Sequence, residues 1–339
     1  MSLTSTETAE TPWVRIIAKY RNPSKARSWW QLANSFLPYV ILWFLMVESL
    51  RVSYWLTLLL AFPAAGLVVR LFIIFHDCGH GSYFKSERLS NFVGYLIGLL
   101  TFTPYKRWHH AHLIHHRTAG NLDKRGTGDV WTLTVKEYRE LPWKKKLYCR
   151  VYRNPLIMFG IGAALVFFLG NRFTRKDFNR QERISVYLNN LGILALATTL
   201  SLTLGWKTYL MIQLPVMYIA SVAGVYMFYV QHQYDDVHWF NDKNWDFKTV
   251  ALQGSSFFKL PKVLQWFTGN IGFHHIHHLS FKIPNYYLEA CHKESPVFSN
   301  VKPITFFQSF RTLRLRLWNE ETGQLVGFRF LKNQAVSAG

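Results

Sequence analysis

The sequence predicts an all-α integral membrane protein, with four transmembrane helices in two hairpins and a cytoplasmic helical cap that holds a histidine-rich metal site. Three observations lead to this fold class. Four long apolar stretches lie in two pairs, positive charge is concentrated outside them, and nine of the fourteen histidines fall into three tight clusters. A core helix of a soluble protein explains any single apolar stretch, whereas four long ones together favour a membrane protein.

The four apolar stretches run over 36–50, 54–75, 188–206 and 209–230. Each approaches or reaches the roughly 20 residues that a helix needs to cross a bilayer, and the weakly polar residues 31–35 lengthen the first. Prolines and glycines in or near these stretches are tolerated in membrane helices.

Two further apolar runs, 92–102 and 156–170, are shorter. Their lengths favour interfacial or re-entrant helices, and a tilted span is the alternative for the second. The chain then divides into five segments. These are a cytoplasmic N-terminal segment (1–30), transmembrane hairpin 1 (31–75), a cytoplasmic segment with two histidine clusters and interfacial helices (76–186), transmembrane hairpin 2 (187–231), and a cytoplasmic C-terminal segment with the third cluster (232–339).

Lysine and arginine set the orientation in the membrane. Five lie before residue 29, seventeen between 106 and 183 and twelve after 230, whereas the expected outer turns carry only Arg51 and Lys207. The positive-inside rule therefore places both termini and all three histidine clusters on the cytoplasmic side. We expect a multi-pass protein of the plasma membrane. Arg70, near the inner end of the second span, is expected to snorkel to the headgroups. Residues 1–11 are polar, and no signal peptide is expected there.

The net charge of +20 does not predict a nucleic-acid partner, because the basic residues follow the cytoplasmic loops rather than one recognition motif. Anionic lipid headgroups suit the lysine run 144–146 beside Trp143. An acidic electron-transfer partner suits the same charge, and the sequence leaves both open. The cysteines are expected to be free thiols on the cytoplasmic side. They are Cys78, Cys149 and Cys291.

The three histidine clusters have helical spacing. The eight that fit ligand spacing are His76 and His80, then His112, His115 and His116, then His274, His277 and His278, while the ninth, His275, is a spare inside the third cluster. Residues i, i+3 and i+4 share one face of a helix, so each cluster should point its imidazoles toward one place. Imidazole suits iron, copper, nickel and zinc. Eight imidazoles exceed what one ion accepts, and two ions sharing the site is the simpler interpretation.

His232 stands at the cytoplasmic end of the fourth span, as His76 does at the end of the second, and we expect it to be a ninth ligand. His109, His110 and His275 are surplus and are expected to be supporting or surface residues. Nearby carboxylates are candidates to hydrogen-bond the outer ring nitrogens, with a cap or turn role as the alternative for each. They are Asp77, which lies inside a cluster and is the best placed, and Asp123, Asp129 and Asp235.

The motifs HxxxH (76–80), HxxHH (112–116) and HxxHH (274–278) are similar to the histidine boxes of the membrane fatty acid desaturases. The resemblance covers about residues 36–284, and the texts FHDCGH, NLDKRGTGD and GNIGFHHIHHL resemble bacterial acyl-lipid desaturases. It implies two iron ions (Fe2+/Fe3+), O2 as the oxidant, and a cis double bond formed in acyl chains of membrane phospholipids. Some of Trp108, Trp131, Trp245 and Trp266 would then line an acyl channel, with interface anchoring as the alternative.

Stearoyl-CoA desaturases share these boxes and add a histidine outside them, whose setting His232 matches. They also carry an asparagine four residues earlier, where this chain has Phe228. The cytochrome b5 domain of some relatives is not seen, which implies a separate electron donor such as ferredoxin or flavodoxin.

Three alternatives remain at this point. A membrane di-iron hydroxylase or ketolase acting on a lipid, carotenoid or alkane uses the same boxes. A membrane zinc protease shares the i, i+4 spacing of HExxH, but it leaves six clustered histidines without a role. A metal transporter needs polar residues within its spans, where Gln213 and Arg70 are nearly alone.

Overall fold

Helices make up most of the protein in this computed structural model, which describes residues 12–331. The absence of a signal peptide was expected for residues 1–11, which lie outside that range. The α-helices in the described part of the chain are α1 (Pro12–Tyr20), α2 (Lys25–Ser49), α3 (Tyr54–His80), α4 (Glu87–Leu100), α5 (Tyr105–Thr118), α6 (Val135–Glu140), α7 (Trp143–Tyr152), α8 (Ala163–Phe168), α9 (Arg180–Leu204), α10 (Trp206–His232), α11 (Phe247–Gln253), α12 (Lys262–Phe267), α13 (His274–Leu279), α14 (Asn285–Lys293), α15 (Pro296–Ser299) and α16 (Phe306–Thr312).

Four of these helices, α2, α3, α9 and α10, are long and apolar enough to cross a membrane. They form the two expected pairs, α2 with α3 and α9 with α10, each joined by a short turn. The second turn is made by Gly205, whose φ of 90° and ψ of 137° suit glycine alone. The expectation of four spans in two hairpins is confirmed in length, composition and connection.

Helix α3 is the centre of the fold. It packs against α2, α4, α5 and α10, and its second half is buried on all sides. Leu71, Ile74 and Phe75 belong to the core there. The helix does not stop at the end of its apolar stretch but continues through His80 and ends at Gly81, a left-handed cap with φ of 63°. It therefore delivers His76 and His80 to the cap, as the sequence predicts.

The two shorter apolar runs form broken or short helices. The first lies in α4, whose 14 residues span only about 21 Å. The second forms a π-helix over Leu156–Gly162, followed by α8 and a 3-10 turn over Gly170–Arg172. Together with the preceding α7 it is bent by 69°. This geometry fits a re-entrant or broken segment, in line with the short run length.

The described part of the cap contains five short strands, where the sequence predicts helices alone. They are β1 (Leu133–Thr134), β2 (Phe257–Lys259), β3 (Pro303–Thr305), β4 (Leu317–Asn319) and β5 (Gln324–Val326). One sheet has the order β1-β4-β5, with β1 parallel and β5 antiparallel to β4, and β2 pairs with β3 in parallel. Strands of two or three residues are too short to show an alternating pattern in the sequence.

The described parts of both terminal segments belong to the cap. Helix α1 packs on α14, where Lys19 and Tyr20 bond Glu294. At the other end, β4 pairs Leu317 with Leu133 of the central segment. Both segments therefore lie on the histidine-bearing side of the four long helices, as the charge pattern predicts.

The expectation that Arg70 extends outward by snorkelling was wrong. Its side chain is 6% exposed and lies among polar groups of the protein. It bonds Ser35 Oγ at 2.9 Å and the carbonyl of Trp266, and it stacks over the Trp266 ring. Hydrogen bonds to polar acceptors on α2 and α12 stabilise the buried guanidinium, as contact with water and headgroups stabilises an arginine that snorkels.

Candidate metal centre

Four helix segments meet where the histidines lie. The C-terminal ends of α3 and α10 carry the first box and His232, while α5 and α13 carry the second and third boxes. The turn before α13 contains Gly269 and Asn270, both with positive φ. All nine expected ligands are buried.

The nine histidines form two adjacent groups rather than one. Within each group one nitrogen from every ring lies within 4.8 Å of the others. The first group is His76, His80, His112, His116 and His277, and the second is His115, His232, His274 and His278. Boxes two and three each contribute to both groups, with the i and i+4 histidines in one group and the i+3 histidine in the other.

Helix geometry explains this division. At 3.6 residues per turn, positions i+3 and i+4 lie on opposite sides of position i and roughly 100° apart. The expectation that each box points at one place therefore needs correction for α5 and α13. His115 belongs to the second group, although the other two histidines of its box belong to the first. His277 belongs to the first group, although the other two histidines of its box belong to the second.

The imidazole nitrogens approach one another closely. In the first group His277 Nε2 lies 3.1 Å from His76 Nε2 and 2.9 Å from His116 Nε2. In the second, His232 Nε2 lies 3.0 Å from the Nε2 atoms of both His115 and His274. An Nε2 atom has either one N–H or one lone pair, directed along one axis, so it cannot satisfy two such neighbours at once. Convergence of this kind is typical of a shared metal ion.

One aspartate fixes a histidine in each group. Asp77 Oδ1 lies 2.9 Å from His76 Nδ1, and Asp129 Oδ1 lies 2.6 Å from His115 Nδ1. A carboxylate accepts the Nδ1–H, which leaves the Nε2 lone pair free to bind a metal. The expectation is confirmed for these two aspartates. Asp123 accepts instead from the backbone N–H of Asp242, and Asp235 is exposed.

Asn285 and Gln31 support the first group and were not foreseen from the sequence. The backbone N–H and the Nδ2 of Asn285 donate to Asp77 Oδ2 at 2.7 and 2.8 Å. Gln31 Nε2 in turn donates to Asn285 Oδ1 at 2.7 Å. All three side chains are buried. Both residues approach Asp77 from distant parts of the chain, and neither stands in a recognisable motif. The only sequence signal is Pro284, which places Asn285 at a helix start.

Burial favours the neutral form of several box histidines. It lowers the pKa of five box histidines well below the ordinary value, and the neighbouring histidines lower it further. These are His112, His116, His274, His277 and His278. Both ring nitrogens of His80 are buried without a hydrogen-bond partner among the described residues. Neutral imidazoles with free lone pairs are what a metal ion requires, so the residues present fit bound metal.

Aromatic rings enclose the two groups. Trp108 stacks on His112 with ring centroids 4.4 Å apart, and Phe281 stacks on His80 at 4.9 Å. The ring centroid of Phe228 lies 5.2 Å from that of His115. The second group thus has an apolar ring beside it.

The surplus histidines lie outside both groups. His110 is exposed, and the ring of His109 is 6.4 Å from that of His80. His275 is buried, its Nε2 lies 3.0 Å from His292 Nδ1, and burial lowers its pKa to about 3. The cysteines are free, as expected, and they are also buried; none joins a group among the described residues.

Comparison with known proteins decides the family. A family model described as fatty acid desaturase matches residues 53–307. The chain belongs to the fatty acid desaturase family. A fatty acid desaturase of Bacillus subtilis (strain 168) is 50% identical over 321 residues, which cover 95% of this chain and 91% of that protein.

More distant desaturases also match. An endoplasmic-reticulum omega-3 fatty acid desaturase of Vigna radiata is 27% identical over 82% of this chain and 76% of its own length. The sn-1 acyl-lipid omega-3 desaturase (ferredoxin) of Synechocystis is 27% identical over 64% of this chain and 61% of its own length. This desaturase is therefore an oxidoreductase, with four helices able to span a membrane and histidine groups able to hold metal. Neither the zinc protease nor the transporter alternative fits this family.

Proposed function

We propose that this desaturase introduces a cis double bond into the acyl chains of membrane phospholipids, at two iron ions held by the eight box histidines and His232. The observation that carries the proposal is the convergence of buried imidazole nitrogens into two adjacent groups. Five histidines would hold one iron and four the other. When bound, the iron pair supplies the oxidising power by which O2 and two electrons remove two hydrogens from adjacent methylenes, a bond cleavage beyond acid–base side chains.

The chain's own residues prepare this site in three ways. Asp77 and Asp129 hold His76 and His115 with their Nε2 lone pairs directed inward. Burial of all nine imidazoles excludes water from the place where a reactive oxidant would form. The stacked ring of Trp108 lies beside the first group, and we propose that it forms part of the wall against which the acyl chain lies.

Lipid-bound acyl chains are the proposed substrate, and ferredoxin or flavodoxin the proposed electron donor. Three of the matched relatives are named acyl-lipid desaturases that use ferredoxin. The excess of lysine and arginine supports an acidic donor, because opposite charges raise the rate of encounter. The same excess of lysine and arginine supports a cytoplasmic cap on the plasma membrane. The proposed segment boundaries are 1–30, 31–75, 76–186, 187–231 and 232–339.

Fatty-acid analysis tests the reaction. Phospholipids from cells with and without the gene are hydrolysed, and the fatty acids are separated by gas chromatography with mass spectrometry of double-bond adducts. We expect a cis-monounsaturated acid only in cells with the gene, and its adduct gives the position of the bond. Detection of a hydroxylated or oxo acid instead would contradict desaturation and support the hydroxylase or ketolase alternative.

Reconstitution tests the donor and the substrate. The purified protein is loaded with iron and given O2, NADPH, a reductase, and either ferredoxin or flavodoxin. Phospholipid, acyl-CoA or acyl carrier protein is offered as substrate. We expect turnover of the phospholipid with at least one acidic carrier. Turnover of acyl-CoA alone would contradict the proposed substrate.

A further inference from the structure

A polar pocket of about 440 Å³ lies between the cap-side end of α2, the middle of α3 and helices α12 and α14. It has the size of a small-molecule site. Arg27, Arg70 and Lys262 line it, with Glu289 as the carboxylate in the lining. Glu289 already accepts from Lys262 at 2.6 Å and from Lys293 at 2.7 Å. Glu289 is therefore already paired with two lysines, and it does not balance the positive charge of the two arginines.

Arg70 is the decisive residue of this pocket. It is a charged side chain with 6% exposure, and its acceptors are all neutral, namely Ser35 Oγ, Asn34 Oδ1 and the Trp266 carbonyl. No carboxylate of the described residues pairs with Arg70 or with Arg27. Taking a guanidinium out of water without a counter-ion is costly, and such a group is stabilised when an anion binds beside it.

The pocket lies on the cap side of transmembrane hairpin 1. Asn34 is nine residues from the start of α2 and Arg70 ten from the end of α3, so both lie about 14–15 Å from the cap-side helix ends. Trp30 and Trp266, which line the pocket, are 70% and 40% exposed. Exposed tryptophans are typical of the membrane interface, where phospholipid phosphates reside.

An apolar stripe continues from the pocket along α2. Trp30, Asn34, Leu37, Ile41 and Phe44 follow one another at intervals of three or four residues and so share one face of the helix. The last three are 57%, 57% and 65% exposed. A molecule with an anionic head and long apolar chains fits this combination, because its head reaches the arginines while its tails cover the stripe.

From these observations we propose that the pocket binds the phosphodiester of a membrane glycerophospholipid, with Arg70 and Arg27 as its cationic partners. Guanidinium groups match phosphate oxygens with paired N–H donors. The inference deepens the proposed function, on which it rests for the lipid's role as substrate. Gln31 also lines the pocket and bonds Asn285, which bonds Asp77 beside His76. One continuous set of hydrogen bonds thus joins the pocket to the first histidine group.

Native mass spectrometry and thermal unfolding of the full-length, iron-loaded protein in detergent test this site. The probes are dioleoyl phosphatidylglycerol, dioleoylglycerol and inorganic phosphate, added separately. We expect the phosphatidylglycerol to bind and to raise the unfolding temperature, and the other two to do neither. Equal binding of dioleoylglycerol would contradict the proposed contact with the phosphate. A rise in the unfolding temperature with inorganic phosphate alone would contradict a lipid as the ligand.

Two variants locate the binding. Arg27→Gln removes an exposed cation that stacks on Tyr287 and leaves the helix intact, while Arg70→Lys keeps the charge but loses the planar fork. We expect weaker phosphatidylglycerol binding by about threefold for the first and about tenfold for the second. Arg51→Gln, at the far end of the same hairpin, is the matched control and should bind like the wild type. Unchanged binding in Arg27→Gln and Arg70→Lys would overturn the proposal.

The outcome is separable from that of the proposed function, because binding is measured without turnover. Selective phosphatidylglycerol binding by a protein that forms no double bond supports the pocket and contradicts the proposed reaction. An active desaturase whose lipid binding ignores both arginines leaves the reaction standing and overturns the pocket.

Discussion

Replacing Asp129 by asparagine should selectively weaken metal binding by the second histidine group. Asp129 is the carboxylate that orients this group, through the 2.6 Å contact with His115 Nδ1. Its side chain is 7% exposed, so water cannot take over the bond. Asparagine keeps the size and can still accept the Nδ1–H, but as a neutral group.

The size of the effect follows from the bond that changes. A hydrogen bond to a buried charge contributes about 1.5–3 kcal/mol and a neutral one about 0.5–1.5 kcal/mol. The difference of about 1–2 kcal/mol corresponds to roughly 5- to 30-fold in affinity. Losses of about 10- to 100-fold are typical when a partner of a ligating histidine is removed. We therefore expect about tenfold weaker binding of one iron and an unchanged affinity for the other.

Iron content during titration with a graded chelator measures this effect. The wild type should release its irons at similar chelator concentrations, whereas Asp129→Asn should release one of them about tenfold earlier. Asp123→Asn is the matched control, because it makes the same change at an exposed aspartate near the same loop. The reasoning is refuted if Asp129→Asn keeps both irons as tightly as the wild type, or if the control loses iron equally.

Three further outcomes are expected. His277→Ala should abolish double-bond formation and lower the iron content while the protein stays in the membrane fraction, whereas exposed His110→Ala should keep both; retained activity in His277→Ala would contradict its assignment as a ligand. Removal of iron by a chelator should lower the unfolding temperature by about 5 °C or more, since metal binds only the folded protein. The helical circular dichroism should stay unchanged, because apolar packing builds the helices. Loss of that signal would show that the metal holds the fold. Gly205→Ala should destabilise the protein by about 1–3 kcal/mol, because alanine is strained at a φ of 90°. Gly224→Ala, in open space within α10, should be nearly neutral. Equal unfolding temperatures of the two variants would contradict the strain argument.

Some features of the site followed from local pattern and some did not. The expectation for His232 rested on its position at a helix end, and the structure places it in the second group. Asp77 was foreseen from its place inside a box, and Asp129 only as one of several candidates. Asn285 was not foreseen, because its partner Asp77 is 208 residues away. Arg70 was misjudged for the same reason, since its acceptors lie on α2 and α12.

The sequence by itself determined the four long helices, their pairing into hairpins and the identity of the clustered histidines. Hydropathy over about 20 residues and spacing of three or four are local properties, and the physics of helices in a bilayer translates them directly into structure. The tertiary structure alone decided how the histidines divide. His116 faces His277 across 161 residues of chain, and His115 faces His232 across 117. Such contacts depend on how the helices pack and rotate against one another, which no local pattern specifies. Packing thereby turns three sequence boxes and His232 into two groups of histidines that are able to hold metal.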